Sequence, residues 1–212
     1  MKKTPLILGA SALLLFGLTG CGSNSSKDQK KEDQTEASKK KEKQEAEDKK
    51  DDGGQLETKN FKVSYKQAVA DFTKEYKGTQ LLSIQLNHSD DNDYKYRIVA
   101  VKDDTAYRAK VNAETGKVDK AKKTKISADN KNEYKDVFDV NQAKEPKEAI
   151  TATMKALKDK YDLKAGHVTS WKLVKDGDQL AYHITVRHVL REYHATIDAK
   201  TMKVISTEQE FY

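Results

Sequence analysis

Four of the five histidines lie close together late in the chain, at His167, His183, His188 and His194. Imidazole is a common zinc ligand, and it changes charge between about pH 5 and pH 8. A zinc site needs three or four ligands that converge on one point. Whether these histidines converge depends on the strands that carry them.

The acidic run Asp90-Asp91-Asn92-Asp93 has the oxygen-rich composition of a cation-binding loop. It lacks the spacing, the central glycine and the terminal glutamate of an EF-hand, so a polar hairpin loop is the better interpretation. The sequence places no nucleophile beside a base, and it contains no glycine-rich phosphate loop and no His-Glu-x-x-His pattern. It therefore predicts no catalytic residue, metal ligand or cofactor, and a protein that is not an enzyme.

Cys21, the single cysteine of the chain, is the remaining candidate for chemistry. Lys2 and Lys3 precede an apolar run at residues 5–20, which suits an export signal and is short for a membrane span. The run ends in Leu18-Thr19-Gly20. These residues and Cys21 resemble the bacterial lipobox, so Leu18, Thr19 and Gly20 are expected to be recognised by the lipoprotein signal peptidase.

The resemblance implies a diacylglyceryl lipid on Cys21 and a mature protein held by fatty acyl chains on the outer face of a cell membrane. Two acyl chains supply the two signals that stable anchoring requires. Residues 22–58 are mostly Ser, Lys, Glu, Asp and Gln, a composition that favours a disordered tether. The alternative is a partly formed charged helix at residues 36–50. The long tether favours a Gram-positive cell surface, with an outer-membrane lipoprotein as the alternative.

An internal repeat organises the chain beyond residue 60. The segment from Tyr107 to Val118 matches the segment from Tyr193 to Val204, and Tyr96 and Ile98 correspond to Tyr182 and Ile184 at the same offset. The predicted domains are a signal peptide at 1–20, a lipidated cysteine and tether at 21–58, a first repeat at 59–123, a linker at 124–142 and a second repeat at 143–212.

Each repeat is predicted to begin with a helix that buries one face. In the first, Ser64 and Gln67 form a capping-box pattern before an apolar stripe. In the second, Pro146 suits the first helical position and Glu148 the first turn. Period-2 alternation follows each helix and predicts three strands. The fold class is therefore α+β, with two tandem units of one helix on a three-stranded antiparallel sheet.

Each unit contains a predicted hairpin whose register places the apolar side chains on one face. The turns lie at Asp103-Asp104 and Val189-Leu190. The predicted pairs are Tyr96–Val111, Ile98–Ala109 and Ala100–Tyr107 in the first hairpin, and Tyr182–Ile197, Ile184–Ala195, Val186–Tyr193 and Arg187–Glu192 in the second. His183 and His194 then become diagonal neighbours on the polar face, without a third ligand. Ordinary surface histidines are the main interpretation, and a metal or pH-sensing site is the alternative.

Most of the ten tyrosines fall on the face that the helix is expected to cover, so they are predicted to be core residues. Trp171 is predicted to be core as well, with an exposed edge position as the alternative. Val99 and Val101 point to the opposite face, where they would either join the two repeats or line a groove for a partner. Met202 replaces Gly116 in the turn after the last strand, which suggests a different turn type there.

The order of helix, strand and tyrosine-rich hairpin, closed by Val111-Asn112-Ala113-Glu114-Thr115-Gly116-Lys117-Val118 or Ile197-Asp198-Ala199-Lys200-Thr201-Met202-Lys203-Val204, resembles the PepSY family. The resemblance covers residues 61–123 and 143–210. PepSY domains occur in the propeptides of thermolysin-like metallopeptidases and are proposed to restrain peptidases. The resemblance implies a binding or regulatory module and no catalytic residues.

The leading hypothesis is a lipid-anchored extracytoplasmic module that restrains or modulates a secreted or envelope peptidase by protein–protein contact, through a sheet edge or the face without helices. The alternative is an envelope factor that binds an anionic cell-wall polymer through its basic surface, since the chain carries a net charge of +6. A catalytic or metal-transport role rests only on the histidines. No nucleic acid partner is expected.

Overall fold

The computed structural model describes residues 55–89 and 91–211. The predicted signal peptide, Cys21 with its lipobox, and nearly all of the predicted tether lie outside these residues. Within the described part of the chain, no helix is both long enough and apolar enough to cross a membrane.

Two helices and eight strands make up the described fold, and four strands follow each helix. In chain order they are α1 Tyr65–Glu75, β1 Gln80–Asn87, β2 Lys95–Lys102, β3 Thr105–Asn112, β4 Lys122–Lys125, α2 Pro146–Tyr161, β5 His167–Asp176, β6 Gln179–His188, β7 Arg191–Asp198 and β8 Val204–Phe211. Between β4 and α2 the chain forms two 3₁₀ turns, Ala128–Tyr134 and Val140–Gln142.

Both helices begin where the sequence predicts. The Ser64 hydroxyl accepts a hydrogen bond from Gln67 N at 3.1 Å, which satisfies one free N–H group of α1. The Gln67 side chain bonds Asp71 instead of returning to Ser64, so the capping box is half formed. Pro146 is the first residue of α2, where its missing N–H and fixed φ are no disadvantage.

The strands form one antiparallel sheet in the order β4-β3-β2-β1-β5-β6-β7-β8. The predicted α+β class is confirmed, but the two separate three-stranded sheets are wrong. Both hairpins have the predicted register. The observed pairs include Tyr96–Val111, Ile98–Ala109, Ala100–Tyr107, Tyr182–Ile197, Ile184–Ala195 and Val186–Tyr193.

The two repeats join because β1 pairs with β5, so that Ile84 lies opposite Leu173 and Leu86 opposite Trp171. Without this pairing, each repeat would expose the backbone of an apolar strand.

The sequence did not predict the fourth strand of each repeat, β4 and β8. All four residues of β4 are exposed, and most of β8 is exposed too, so neither shows the alternation that identifies a half-buried strand.

A single core lies between the sheet and the two helices, which cover the same face. Trp171 is 3% exposed and packs edge-on against Tyr65 and Tyr182, so its predicted core position is confirmed. Tyr96 Oη donates to Val63 O at 2.8 Å, and Tyr182 Oη donates to Lys144 O at 2.7 Å. The equivalent tyrosine of each repeat therefore binds the backbone just before the helix.

On the opposite face, the linker covers the apolar surface of the first repeat. Val101 is buried with Leu82, Ala106 and Ile126, and the partly buried Val99, Tyr134 and Val137 pack against this cluster. Linker residues cover Val99 and Val101. These valines therefore neither join the two repeats nor line a groove for a partner, and both expected roles are wrong. We call residues 126–138 the strap.

The closing turns of the two repeats have one geometry, so the expected difference at Met202 is wrong. Asn112 Oδ1 accepts from Glu114 N and Thr115 N, and Asp198 Oδ1 accepts from Lys200 N and Thr201 N. Gly116 and Met202 both adopt positive φ, +72° and +63°. Methionine is strained in this region, but the surrounding hydrogen bonds hold the turn in the same shape.

Candidate interaction surfaces

His183 and His194 lie on the sheet face that the helices leave open, whereas His188, at the end of β6 and two residues after the buried Val186, faces the other way. His183 Nε2 is 3.8 Å from Asp176 Oδ2, and His194 Nε2 is 3.7 Å from Glu210 Oε2. The predicted diagonal relation of His183 and His194 is confirmed by their pairing with Thr196 and Thr185. Each of these two histidines therefore has its own acidic neighbour.

The described residues contain no group of three or more His, Cys, Asp or Glu side chains that could hold a metal ion. Burial lowers the pKa of His183, with Asp176 acting against the shift and Lys172 adding to it. His183 is therefore mostly neutral at pH 7, where it can neither repel nor attract a charged ligand strongly.

The two edges of the sheet differ in length and in chemistry. At one edge, β4 is four residues long and exposes Lys122, Lys123 and Lys125. Short edge strands that carry lysine resist pairing with another chain, because the partner would have to accept the charges. This edge is closed to strand addition.

The other edge, β8, is eight residues long and carries exposed apolar side chains at both ends. Val204 is 43% exposed, Ile205 47% and Phe211 71%, while Glu208 and Glu210 lie between them. An extended edge with apolar side chains offers backbone hydrogen bonds and side-chain contacts to an added strand. Sequence reasoning missed this edge because it missed the strand.

The β6–β7 turn extends the apolar surface near the end of β8. Val189 and Leu190 are 50% and 60% exposed, and the Arg191 guanidinium lies 5.0 Å from the centre of the Phe211 ring. Val189 has φ of +54°, which is unusual for a β-branched residue. An exposed pair of aliphatic side chains on a strained turn suits a contact surface.

A pocket of about 270 Å³ opens where the N-termini of the two helices approach each other. Phe61, Tyr65, Pro146, Ile150 and Trp171 are among its walls. The segment before α1 lies at its rim, with Leu56 buried and Glu57 Oε2 accepting from Val168 N. The residues before α1 thus narrow the pocket.

Of the residues singled out for chemistry, Cys21, Leu18, Thr19 and Gly20 lie outside the described part of the chain. The acidic loop at 91–93 is engaged locally: Asp93 Oδ2 binds Lys95 Nζ at 2.8 Å, and Asp91 accepts from Ser89 Oγ and Asp93 N. Its carboxylates serve the loop, as expected of a polar hairpin connection.

Two segments, residues 62–120 and 145–208, match the family model of PepSY, the peptidase propeptide and YPEB domain. A crystal structure of a protein from Clostridium difficile 630, described as a lipoprotein, matches this chain with a TM-score of 0.63. The two proteins are 28% identical, and the match covers 74% of this chain and 99% of the other. The comparison with curated proteins found no match.

Proposed function

Because the chain belongs to the PepSY family and carries its domain twice, we propose that it is a non-catalytic module that binds and restrains a secreted or envelope peptidase. The family description as a peptidase propeptide supports a peptidase as the partner class. A restraining module without catalytic residues must bind the enzyme through a protein–protein interface.

The observation that carries this proposal is the outer edge of β8, where the Thr207 carbonyl already accepts from Lys160 Nζ and Tyr161 Oη and the rest of the strand remains for pairing. It combines eight residues of edge strand with exposed Ile205 and Phe211, whereas the β4 edge is blocked by lysines. An extended segment of the peptidase would add to β8 as a ninth strand, and its apolar side chains would cover those of the edge. The carboxylates of Glu208 and Glu210 favour a segment that carries basic residues.

The proposed location is the outer face of a cell membrane, through a lipid on Cys21 with Leu18, Thr19 and Gly20 as the peptidase recognition residues. The export-signal pattern supports this location. The lipoprotein description of the Clostridium difficile protein supports it too. A tether before residue 55 would let the two PepSY domains reach a partner away from the bilayer.

The test is a capture experiment followed by an inhibition assay. Residues 22–212, without the lipidated cysteine, serve as bait for native envelope extract at low and moderate salt, and retained proteins are identified by mass spectrometry. A retained peptidase is then purified, and its hydrolysis of a peptide substrate is measured with increasing amounts of the bait. We expect salt-resistant retention and slowed hydrolysis.

The edge is tested by the double substitution Ile205→Lys and Phe211→Lys, which gives β8 the protection that β4 already has. Both side chains are exposed, so the fold should persist. The matched control is Thr124→Lys with Ser127→Lys, which adds the same two charges at exposed positions on and just after β4, at the opposite edge of the sheet. Inhibition should weaken at least tenfold with the edge pair and stay within about threefold with the control. If no envelope peptidase is retained or slowed, the proposal is wrong.

A further inference from the structure

Four cations without acidic partners lie on the sheet face that the helices leave open. A cross-strand row runs Lys110, Arg97, Gln85, Lys172 over β3, β2, β1 and β5, since each residue is the register partner of the next. Lys122 on β4 lies opposite Arg108, which is two residues from Lys110. We call Arg97, Arg108, Lys110, Lys122 and Lys172 the basic patch.

The basic patch places like charges directly opposite each other, at Arg97–Lys110 and at Arg108–Lys122. Such pairs destabilise a sheet, because their side chains stand about 5 Å apart. Diagonal neighbours are about 7 to 8 Å apart, so all four residues of these pairs form one cluster. A sheet built only for stability would alternate the signs.

Carboxylates do not neutralise this cluster. Among the described residues, none lies within ion-pair distance of Arg97, Lys110, Lys122 or Lys172, although several other surface lysines have such partners. The nearby Asp93 and Asp119 act on Lys95, and Asp93 binds it directly. Arg108 donates to Tyr134 Oη at 2.8 Å, which fixes its guanidinium at the margin of the strap.

The second repeat provides an internal control. At the positions of Arg97, Arg108, Lys110 and Lys122 it carries His183, His194, Thr196 and Glu208, on strands with the same order and register. There His194 lies opposite Glu208, a compatible pair, in place of two cations. The fold therefore does not require cations at these positions, and the first repeat carries them for another reason.

We propose that the basic patch binds a linear polymer of phosphodiester-linked polyols, the anionic polymer class of bacterial cell walls. Tyr134, the aromatic side chain beside the patch, already accepts a hydrogen bond from Arg108, so it is not a free aromatic platform of the kind that unpaired nucleic acid bases use. It also lacks exposed large apolar side chains for insertion into a membrane, since those lie on the second repeat. The choice of a wall polymer rests on the proposed extracytoplasmic location, and it is independent of the peptidase.

Salt dependence measures the number of phosphates engaged. For a single-stranded polyanion, the logarithm of the binding constant falls by roughly 0.7 per neutralised phosphate for each decade of salt. Four to five contacts predict a slope of about −3. The probe is purified poly(glycerol phosphate), titrated into residues 22–212 and followed by calorimetry from low to physiological salt.

The patch variant is Arg97→Gln, Lys110→Gln, Lys122→Gln and Lys172→Gln, which leaves Arg108 in its contact with Tyr134. The charge-matched control is Lys147→Gln, Lys158→Gln, Lys200→Gln and Lys203→Gln, four exposed lysines on α2 and the second closing turn. A second patch variant, Arg97→His with Lys110→Thr, inserts the residues of the second repeat and guards against misfolding. Circular dichroism verifies that each variant is folded.

We expect the four-site patch variant to lose at least tenfold in affinity and its slope to fall to about −1, the two-site variant to lose about half of the slope, and the control to stay within twofold. Equal losses in the patch and control variants would overturn the proposal, as would no binding at physiological salt. It would also be overturned if phosphatidylglycerol vesicles or single-stranded DNA bound through the patch more tightly than the polymer. Polymer binding without any retained peptidase would sustain this inference and refute only the proposed function.

Discussion

Asp198 shows how one side chain can hold a turn. Its carboxylate accepts from Gln179 Nε2, from two backbone N–H groups and from Thr201 Oγ1. The hydrogen bonds from Gln179 and then Thr201 lower the pKa of Asp198 to about 2. Asn112 performs the same task in the first repeat with an amide oxygen, so the turn needs the acceptor and not the charge.

We predict that Asp198→Ala lowers the free energy of unfolding by about 1–2 kcal/mol, because the N–H groups lose their acceptor. Asp198→Asn should cost less than half of that, as Asn112 indicates. The folded pKa lies below the unfolded value of about 4, so the stabilisation is complete above pH 4 and is lost as the pH falls through about 2. Denaturant unfolding at pH 7 and pH 2.5 measures both effects, and an equal cost of Ala and Asn would contradict this account.

Met202 is the other informative residue, because it adopts a φ that favours glycine. We predict that Met202→Gly is more stable than Met202→Ala by about 1 kcal/mol, since alanine keeps the strain and glycine removes it. Both variants lose the same side-chain packing, so their difference isolates the backbone effect. In the middle of an ordinary strand or helix, the alanine variant would instead be more stable than the glycine variant. Gly116→Ala in the first repeat is the companion measurement, and it should destabilise.

At the scale of elements, the strap explains how the first repeat tolerates valines on its outer face. Ile126 is 8% exposed and packs with Leu82 and Val101 in a small separate cluster. Ile126 N also donates to Asp104 O at 2.8 Å, which holds the strap against the β2–β3 turn. The linker is therefore part of the folded unit.

We predict that Ile126→Ala lowers the free energy of unfolding by about 2 kcal/mol, the low end of the range for buried isoleucine, because the cluster is small. Lys125→Ala, one residue away and exposed, should change it by less than about 0.5 kcal/mol. Urea unfolding of both variants at pH 7 measures the difference. If Ile126→Ala behaved like Lys125→Ala, the strap would be a surface loop.

At the scale of the molecule, the two PepSY domains share one sheet and one core. Tyr65 of the first repeat donates to Ala143 O and Lys144 O at the start of the second, and it packs on Trp171. The central β1–β5 pairing adds backbone hydrogen bonds between the two repeats. Neither repeat is complete without the other.

We predict one cooperative unfolding transition for residues 22–212, with equal calorimetric and van't Hoff enthalpies. Fragments 55–142 and 143–212 should each be unfolded or self-associated, because β1 or β5 would become an exposed apolar edge. Mixing the fragments should restore the circular dichroism of the intact chain. Two separate transitions would mean that the repeats fold independently.

The shared core also predicts sensitivity to alkaline pH. Burial raises the pKa of Tyr65 to about 12, and it raises the pKa of Tyr96 and Tyr182 as well. Because the pKa is higher in the folded state, these tyrosines stay protonated there at a pH that ionises them in the unfolded chain. Their contribution to the free energy of unfolding is intact below the unfolded pKa of about 10 and is lost as the pH rises through 12. Unfolding by guanidinium at pH 8, 10 and 11.5 should show the decline, and Tyr182→Phe should reduce it. If the free energy of unfolding stayed constant up to pH 11.5, ionisation of the buried tyrosines would not destabilise the fold, and this prediction would be wrong.

The sequence by itself determined the local structure. Alternating apolar residues on both sides of a short turn admit one register that buries a single face, so both hairpins were predicted pair by pair. The helix starts followed from Ser64 and Pro146, and the duplicated closing motif indicated the PepSY family. These features depend on residues that are close together in the chain.

Only the tertiary structure decided how the repeats combine. The β1–β5 pair, the edge strands β4 and β8, and the strap all rest on backbone hydrogen bonds or packing between distant segments. A backbone hydrogen bond leaves no trace in side-chain alternation when the strand is exposed, and β4 and β8 are mostly exposed. The basic patch exists because strand pairing brings β4, β3, β2, β1 and β5 next to one another, and the β8 edge exists because β8 pairs with β7.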